Sequence, residues 1–312
     1  MTDDEVYDCI VIGAGPSGLS AALFLARYRY RVLVFHHNSP RNIYSHGVHG
    51  FLGHHGILPA DLLARGREEV LMHGGTIIEA CVTKAERVTN EHFRATVEGD
   101  SGAGRIHVAR RLLLATGLRD FTPDCPGFRE FYGSSVFHCP DCDGYEVSGK
   151  RVAVLSKGIH SAGFTLNLLT WTQHLTLLTD GEDEDLSEEH RVRLAAFGIP
   201  ILNHRIARLE GSHAKGQIER VRFENGGALD CDALFFNLGV EPSSKLHEML
   251  GCRLDQESGL VWVDAEQQTS VAGVYAAGDL TPRSQLAVVA AAEGAMAAIH
   301  IHKSLVPPER QI

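Results

Sequence analysis

Apolar runs that end in glycine-rich turns recur along the chain and predict its secondary structure. Near the N-terminus, the run YDCIVI meets the turn GAGPSG, a helical pattern follows, and a second apolar run, RVLVF, completes the unit. This strand–turn–helix–strand order is typical of a dinucleotide-binding βαβ unit. In that fingerprint Gly13 permits the tight turn, Gly15 lets the backbone approach a pyrophosphate, and Gly18 permits close packing of helix and strand. The phosphates would lie at the positive N-terminal end of the helix.

A second, degraded copy of the pattern begins at residue 151. The stretch RVAVLSKGIHSAGFTLNLLTWTQHLTLLTDG predicts strand, turn, helix and strand in the same order. Ser156 stands in the place of the first glycine and Ser161 in the place of the third. The pattern therefore indicates an internal repeat of the fold in which the phosphate-binding chemistry is partly lost.

The remaining apolar runs define the domain organisation. Near the C-terminus, a strand is predicted to end at Ala277-Gly278-Asp279, before a long helix rich in small residues. Two further strands end at glycines, in LLLATGLRD (112–120) and FFNLGVEPSS (235–244), and they bracket the second βαβ unit like the two linkers of an inserted domain. We predict an α/β fold of two Rossmann-like, three-layer dinucleotide-binding domains, the second inserted into the first. The first domain is assigned to 1–117 and 240–312, and the insertion to 118–239.

Charge and hydropathy exclude several classes of partner. Acidic residues outnumber basic ones 39 to 29 among 312 residues, and the formal net charge is −10. This balance disfavours nucleic acid and anionic membranes as partners, but not a small basic protein. The N-terminus lacks the basic and apolar regions of a signal peptide, and the apolar stretch AVVAAAEGAMAAIHI is interrupted by Glu293. We expect a cytoplasmic protein.

Two of the seven cysteines stand out, because Cys139 and Cys142 form a CxxC motif within HCPDCDGYE. The spacing is compatible with half of a zinc site, a structural disulfide or a redox pair. Zinc would need two distant ligands such as His46 and His49, since the chain has no second CxxC, and we predict no metal site. The other cysteines are scattered singly, and Cys9 and Cys231 are expected to be buried.

A glycine-rich stretch, SHGVHGFLGHHG, contains four histidines: His46, His49, His54 and His55. Surface histidines in a loop are the simplest interpretation, and a metal or acid–base role is the alternative.

The motifs GAGPSG, LLLATG, CPDCDG and VYAAGD, in this order over nearly the whole chain, resemble the low-molecular-weight thioredoxin reductase family of flavoprotein disulfide oxidoreductases. The histidine-rich stretch is similar to a subgroup that includes the dithiol oxidases forming the disulfides of gliotoxin and holomycin. The resemblance implies FAD as cofactor and places the FAD-binding domain in 1–117 and 240–312. It also implies a homodimer and a hinge at the two linkers. The implied cofactor-binding residues are Gly13, Gly15, Pro16, Ser17 and Gly18 at the pyrophosphate, Gly278 and Asp279 at the ribityl and phosphate region, and Ser284 and Gln285 near the isoalloxazine at the start of the last helix.

The same resemblance assigns roles within the CxxC motif. Cys142 would exchange electrons with the flavin, Cys139 would exchange sulfur with the thiol partner, and Asp143 would act as general acid–base. That partner is expected to be a thioredoxin-like protein or a small dithiol or disulfide. The unusual Asp141 beside a thiolate should raise the thiol pKa or select a positively charged partner.

The insertion also bears on the electron source. An NADPH site in this family carries a basic run that binds the 2′-phosphate, whereas this chain has Leu178-Thr179-Asp180-Gly181 followed by acids. The sequence therefore predicts that NADPH is not the electron source. Asp180 lies 22 residues after Gly158, close to the offset of roughly 20 at which an acid holds an NAD ribose, so NADH stays open, although Asp180 also fits a simple turn. In the first unit His36 and His37 stand where an acid usually contacts the adenosine ribose.

The prediction is therefore a dithiol/disulfide oxidoreductase in which FAD and the Cys139–Cys142 pair exchange electrons without NADPH, with oxygen, a ferredoxin or another flavin as the other partner. An NAD(P)H-dependent thioredoxin reductase and a non-catalytic flavin-binding redox sensor remain alternatives.

Overall fold

The computed structural model describes residues 6–98, 104–182 and 186–310, and these form two compact units. Unit 1 takes in the chain up to Ile43, Phe51–Arg119, and the chain from Glu241 onward. Unit 2 takes in Tyr44–Gly50 and Asp120–Val240. The sequence assigned 44–50 to the first domain, whereas the structure groups it with unit 2. The functional labels of the two domains stay predictions.

The helices and strands of the described residues are as follows. The α-helices are α1 (Pro16–Arg27), α2 (Pro59–Met72), α3 (Phe128–Phe131), α4 (Pro140–Asp143), α5 (Ser161–Asn167), α6 (Glu188–Ala196), α7 (Leu246–Met249) and α8 (Ala287–Leu305). The strands are β1 (Val6–Ile12), β2 (Val32–His36), β3 (Thr76–Glu79), β4 (Val82–Arg87), β5 (Phe93–Val97), β6 (Arg105–Leu114), β7 (Leu118–Asp120), β8 (Val136–Phe137), β9 (Val152–Ser156), β10 (Leu175–Leu178), β11 (Ile201–Leu202), β12 (Ile206–Ser212), β13 (Gln217–Phe223), β14 (Ala228–Asp230), β15 (Ala233–Asn237), β16 (Val240–Pro242) and β17 (Val274–Ala276).

Unit 1 is built on a sheet of order β3-β2-β1-β6-β5-β4, with β17 also paired to β6. β1 pairs in parallel with both β2 and β6, and β17 is parallel to β6, whereas β4 and β5 are antiparallel additions. Cys9 and Val11 of β1 pack against α1 and α8 on one face, and Ile10 and Ile12 pack on the other. A strand covered on both faces reads as a continuous apolar run, which is why YDCIVI shows no alternation.

Unit 2 is built on a parallel sheet of order β11-β10-β9-β15-β8. Val152 and Val154 of β9 pack with residues of α5 and α6. Ala153 and Leu155 pack on the opposite face with residues of the antiparallel sheet β12-β13-β14. The two Rossmann-like, three-layer domains are thus confirmed, and one outer layer of unit 2 is a sheet.

The second βαβ unit has the predicted order, but its helix is short. α5 spans 7 residues and passes into a 3₁₀ turn over Leu168–Thr170 before β10 begins. The two predicted linkers, β7 and β16, pair with each other in a two-stranded sheet.

Burial of the single cysteines follows the expectation, because Cys9 is 0% exposed and Cys231 is 1% exposed. Within the described ranges, no helix is long and apolar enough to cross a membrane.

Candidate functional site

The CxxC motif forms a disulfide at the start of a short helix. Cys139 is the N-cap of α4, Pro140 occupies the first turn, and Cys139 and Cys142 are joined by a disulfide with 5.3 Å between their Cα atoms. The Cys142 N–H donates to Cys139 Sγ at 3.1 Å. A backbone donor in this position favours a thiolate on Cys139 once the disulfide is reduced. The geometry is that of a disulfide and not of half a zinc site, and its redox role is taken up as a proposal below.

Asp143, the residue after Cys142, is the candidate proton carrier. Burial, followed by the negative charge of Glu146, raises the pKa of Asp143 to about 7. A carboxyl group with that pKa exchanges a proton readily near neutral pH, as a general acid–base must. Asp141, on the same helix, is exposed to solvent.

The histidine-rich stretch divides between the two units. His46 and His49 belong to unit 2, whereas His54 and His55 belong to unit 1. His46 Nε2 lies 2.9 Å from Ser134 Oγ, and His49 Nε2 lies 3.7 Å from Glu146 Oε1. In the part of the chain that the structure describes, no three His, Cys, Asp or Glu side chains are grouped to hold a metal ion.

The glycine-rich turn of unit 1 has the geometry that a dinucleotide fingerprint requires. Gly13 has a φ of +115°, and a Cβ on it would lie 2.0 Å from the Ala115 carbonyl oxygen. A Cβ on Gly18 would lie 1.9 Å from the Gly13 carbonyl oxygen. A Cβ on Gly15 would instead meet none of the described residues within 4 Å. Gly15 is also the N-cap of α1 and brings no side-chain cap, so the first-turn amides of the helix are left for an outside acceptor.

Pro16 and Ser17 complete this turn. Ser17 also links it to the turn at Gly278 and Asp279, here the Gly278–Asp279 corner. Pro16 begins α1, where its missing N–H costs no helix hydrogen bond. Ser17 Oγ donates to the Ala277 carbonyl at 3.4 Å, directly before Gly278. The structure therefore brings the turn and the Gly278–Asp279 corner together within unit 1.

The corner itself is held by a buried carboxylate that the sequence did not single out. Glu293 of α8 accepts hydrogen bonds from the Gly278 N–H and the Thr281 hydroxyl, both at 2.8 Å. Burial, the largest effect, raises the pKa of Glu293. Its only sequence signal was that it interrupts the apolar run of the last helix.

Arg41 is a second residue that sequence reasoning missed. Its Nη1 donates to Asp279 Oδ2 at 3.1 Å and to Gln285 Oε1 at 2.6 Å. Arg41 thus joins two of the predicted cofactor residues. Nothing in the local sequence marks this arginine, because its contacts lie more than two hundred residues away along the chain.

The sequence resemblance had placed Ser284 and Gln285 at the start of the last helix. In the structure they lie before it. α8 begins at Ala287 with Leu286 as N-cap. The Leu286 N–H donates to the Ser284 carbonyl at 2.9 Å, a turn that delays the helix.

The corresponding turn of unit 2 is occupied by ion pairs. Lys157 Nζ lies 3.2 Å from Asp180 Oδ2 and 2.9 Å from Glu182 Oε1. Asp180 Oδ1 accepts the Ile206 N–H at 2.7 Å. Of the acidic stretch that follows, residues 183–185 lie outside the described residues. Ser156, in place of the first glycine, is 0% exposed.

Comparisons with known proteins agree with this architecture. Residues 7–294 match the family model described as pyridine nucleotide-disulphide oxidoreductase. The chain belongs to this family. It is 30% identical over 297 residues to thioredoxin reductase tcpT of Claviceps purpurea (strain 20.1), covering 89% of this chain and 88% of that protein.

Solved structures show the same likeness. The crystal structure of HlmI matches with a TM-score of 0.89 and 34% identity over 98% of this chain and 94% of that one. The oxidoreductase from Agrobacterium tumefaciens matches with a TM-score of 0.86 and 31% identity, over 97% of this chain and 100% of that one. The chain is therefore a thioredoxin reductase-like flavoprotein disulfide oxidoreductase, and the resemblance drawn from its motifs is confirmed.

Proposed function

We propose that this enzyme is an FAD-dependent dithiol/disulfide oxidoreductase in which FAD and the Cys139–Cys142 pair exchange electrons, and that it does not use NADPH. The observation that carries the second part is the ion-pair cluster in unit 2. Asp180 already binds Lys157 and the Ile206 N–H, and Glu182 binds the same lysine. A 2′-phosphate binds cations and is repelled by carboxylates. Lys157 is already paired with two carboxylates here, and Arg205, which lies against Gly181, is a second cation at this turn.

The residues of unit 1 fit FAD as the cofactor. The open space beside Gly15 and the uncapped first turn of α1 suit a pyrophosphate. Asp279, oriented by Arg41, and Gln285 supply polar groups at the neighbouring corner. Bound FAD would supply the two-electron redox centre that connects a thiol pair to a further electron partner.

The thiol chemistry is carried by the chain itself. A substrate thiolate attacks Cys139 Sγ, which forms a mixed disulfide and breaks the Cys139–Cys142 bond, with Cys142 leaving as a thiolate. The second substrate thiol then attacks the substrate sulfur of the mixed disulfide and releases Cys139. The substrate is oxidised to its disulfide, the pair is reduced to a dithiol, and Asp143 exchanges protons with the sulfur atoms. The reverse sequence reduces a disulfide.

We further propose a thioredoxin-like protein or a small dithiol as the thiol partner, and oxygen, a ferredoxin or another flavin as the electron partner. The resemblance of the histidine-rich stretch to dithiol oxidases supports a small dithiol.

A second candidate function, a nicotinamide-dependent disulfide reductase, is favoured by one feature of unit 2. A cavity of about 760 Å³ lies beside α5 and α6, with His160, Asn167, His190, Arg193 and Asn237 among its lining residues. That volume suits a small-molecule ligand. NADH would be its occupant in this reading, because Asp180 disfavours the 2′-phosphate of NADPH.

The test of the main proposal is reduction by a dithiol followed by exposure to oxygen. Dithiothreitol should bleach the oxidised flavin absorbance of the purified protein under argon, and air should restore it. The Cys142→Ser variant should keep the absorbance of oxidised flavin throughout, because it has no disulfide through which the dithiol can reduce the cofactor. The proposal fails if dithiothreitol bleaches both proteins equally or neither of them. If the oxidised flavin absorbance returns slowly in air but quickly when a ferredoxin is added, the ferredoxin is the electron partner.

A further inference from the structure

The Gly278–Asp279 corner lies directly against the glycine-rich turn of unit 1. Ser17 Oγ donates to the Ala277 carbonyl, and a Cβ on Gly278 would lie 2.6 Å from the same Ser17 oxygen. On its other side the corner is held by Glu293, which accepts the Gly278 N–H. Asp279 is therefore one residue away from a contact with the turn to which the pyrophosphate is assigned.

A carboxylate in this position is unfavourable for an anionic ligand unless its charge is offset. A pyrophosphate is negatively charged, and like charges in a partly buried site repel each other more strongly than in water. Arg41 supplies the opposite charge, because its Nη1 lies 3.1 Å from Asp279 Oδ2. The two side chains are only 13% and 21% exposed, so salt screens this pair less than a surface pair. An arginine also keeps its charge in proteins, since its guanidinium is not deprotonated.

The same guanidinium decides which way the amide of Gln285 faces. Arg41 Nη1 donates to Gln285 Oε1 at 2.6 Å. A guanidinium has donors and no acceptor, so only the amide oxygen of Gln285 can face it. The amide nitrogen of Gln285, with its N–H donors, is then turned away from Arg41. The resemblance assigns Gln285 to the isoalloxazine, whose carbonyl oxygens accept such donors.

We propose that Arg41 is a positioning residue of the cofactor site, which acts on bound FAD through Asp279 and Gln285. It offsets the charge of Asp279, so that the pyrophosphate can approach the first turn of α1. It also fixes Gln285 with its N–H donors free for the flavin ring. This rests on the proposed function, in which unit 1 binds FAD.

The experiment measures FAD binding to the full-length apoprotein, so that no turnover is needed. The flavin is removed, and the dissociation constant of FAD is obtained from the change in flavin fluorescence as apoprotein is added. Arg41→Gln removes the charge and should raise this constant about 30-fold. Arg41→Lys keeps a positive charge beside Asp279 and should remain within about threefold of the wild type.

Double-mutant cycles separate a positioning role from a direct contact with FAD. In the Asp279→Asn background no charge remains to be offset, so Arg41→Gln should weaken FAD binding by only about threefold. In the Gln285→Met background only the charge remains to be offset, and Arg41→Gln should weaken binding about tenfold.

Arg283 provides the matched control. It is a second arginine near this corner, with its Nε 3.8 Å from Glu293 Oε1, and its side chain is 55% exposed. Arg283→Gln should leave the dissociation constant of FAD within about twofold of the wild type, because an exposed charge is screened by salt. Urea unfolding of each apoprotein shows whether the variants are folded.

The outcomes distinguish the two proposals. If the folded wild-type apoprotein does not bind FAD, the proposed function is wrong. If it binds FAD, but Arg41→Gln binds it equally well or Arg41→Lys binds it no better than Arg41→Gln, the positioning role is wrong. An equal loss in all three backgrounds would also overturn the role, because Arg41 would then contact FAD directly.

If Arg41→Gln does not fold, Arg41→Lys decides alone. A folded Arg41→Lys apoprotein that binds FAD about threefold more weakly than the wild type supports the role, and a loss of about 30-fold overturns it.

Discussion

Asp143 is a carboxyl group whose folded environment favours the neutral form. Its pKa is raised to about 7, through burial and then Glu146, from an ordinary value of 3.8. Because the folded pKa lies above the unfolded one, the folded state binds the proton more tightly. The stability that this contributes is complete below the unfolded pKa and is lost as the pH rises through about 7.

We therefore expect Asp143→Asn to be more stable than the wild type at alkaline pH, because the amide stays neutral. The difference in melting temperature should be close to zero at pH 5 and reach about 3 °C at pH 8. Exchange with an alkyl disulfide should slow about 100-fold at pH 7 through loss of the acid–base group. Thermal melts across this range, with Asp141→Asn as the exposed control, decide the matter. A stability difference that does not change with pH would contradict the assignment.

His247 is a buried group whose pKa is lowered, in contrast to the raised pKa of Asp143. It is 3% exposed in α7, and its Nδ1 is buried with no hydrogen-bond partner among the residues described. Burial, the largest effect, lowers its pKa. A histidine with a lowered folded pKa contributes stability above its unfolded pKa of about 6.5, and this is lost as the pH falls.

His247→Gln should consequently flatten the loss of stability between about pH 7 and pH 5. Melting temperatures or urea midpoints of the two proteins, measured over that range, provide the test. A variant that loses stability with acid as steeply as the wild type would show that another group is responsible.

At the scale of elements, the glycines of the glycine-rich turn have two different roles, one in the fold and one in ligand binding. Gly13 is required by the protein itself, because a Cβ would collide with the Ala115 carbonyl at 2.0 Å and its φ is +115°. Within the described part of the chain, no protein contact requires Gly15, since its added Cβ meets nothing within 4 Å. On the proposed function, glycine at position 15 leaves room for the pyrophosphate to approach the backbone.

The matched pair Gly13→Ala and Gly15→Ala tests this separation. Gly13→Ala should destabilise the apoprotein by about 3 kcal/mol or more, through backbone strain and a clash. Gly15→Ala should leave the apoprotein within about 0.5 kcal/mol of the wild type, yet purify with little bound flavin. Urea unfolding and the ratio of flavin to protein absorbance give the two readouts. Equal flavin content in Gly15→Ala and the wild type would place the cofactor elsewhere.

The elements themselves were predictable because their signals are local. Each βαβ unit combines an apolar strand, a glycine turn and a helix within thirty-odd residues, and both were read correctly from the sequence. The resemblance placed Ser284 and Gln285 at the start of the last helix, whereas a turn closed by the Leu286 N–H delays the start of α8 to Ala287.

Contacts between distant residues could not be read in this way. Arg41 lies 238 residues from Asp279, and Asp180 meets the Ile206 N–H 26 residues later. The docking of the 44–50 segment depends on Gly133, which no local pattern relates to Tyr44. Such contacts are set by the tertiary fold. They account for most of the features of the site that the sequence motifs do not indicate.

At the scale of the whole molecule, the chain is negatively charged, and an acidic side chain is exposed beside the redox pair. The formal net charge is −10, Asp141 is exposed beside the redox pair, and Tyr145 is 79% exposed two residues beyond Asp143. A partner that reaches Cys139 must accommodate this surface. We expect a basic partner to associate faster than an acidic one, with a preference that salt weakens.

A mixed-disulfide trap measures this preference. In Cys142→Ser, Cys139 should hold a disulfide-bearing peptide covalently, because the resolving sulfur is missing. A basic peptide should be captured about tenfold faster than an acidic peptide of the same length at low salt, and Asp141→Asn should reduce that ratio. Equal capture rates at all salt concentrations would remove any role for Asp141 in partner choice.

On the proposed function, electrons do not enter this enzyme from NADPH. The most direct measurement is an anaerobic titration of the flavin-loaded protein with NADPH, NADH and dithiothreitol in separate cuvettes, following the oxidised flavin absorbance. Near-stoichiometric dithiothreitol should bleach this absorbance, and NADPH should leave it unchanged. Bleaching by near-stoichiometric NADPH would contradict the account, and it would show that the ion pairs of Lys157 open to admit a nicotinamide nucleotide in unit 2.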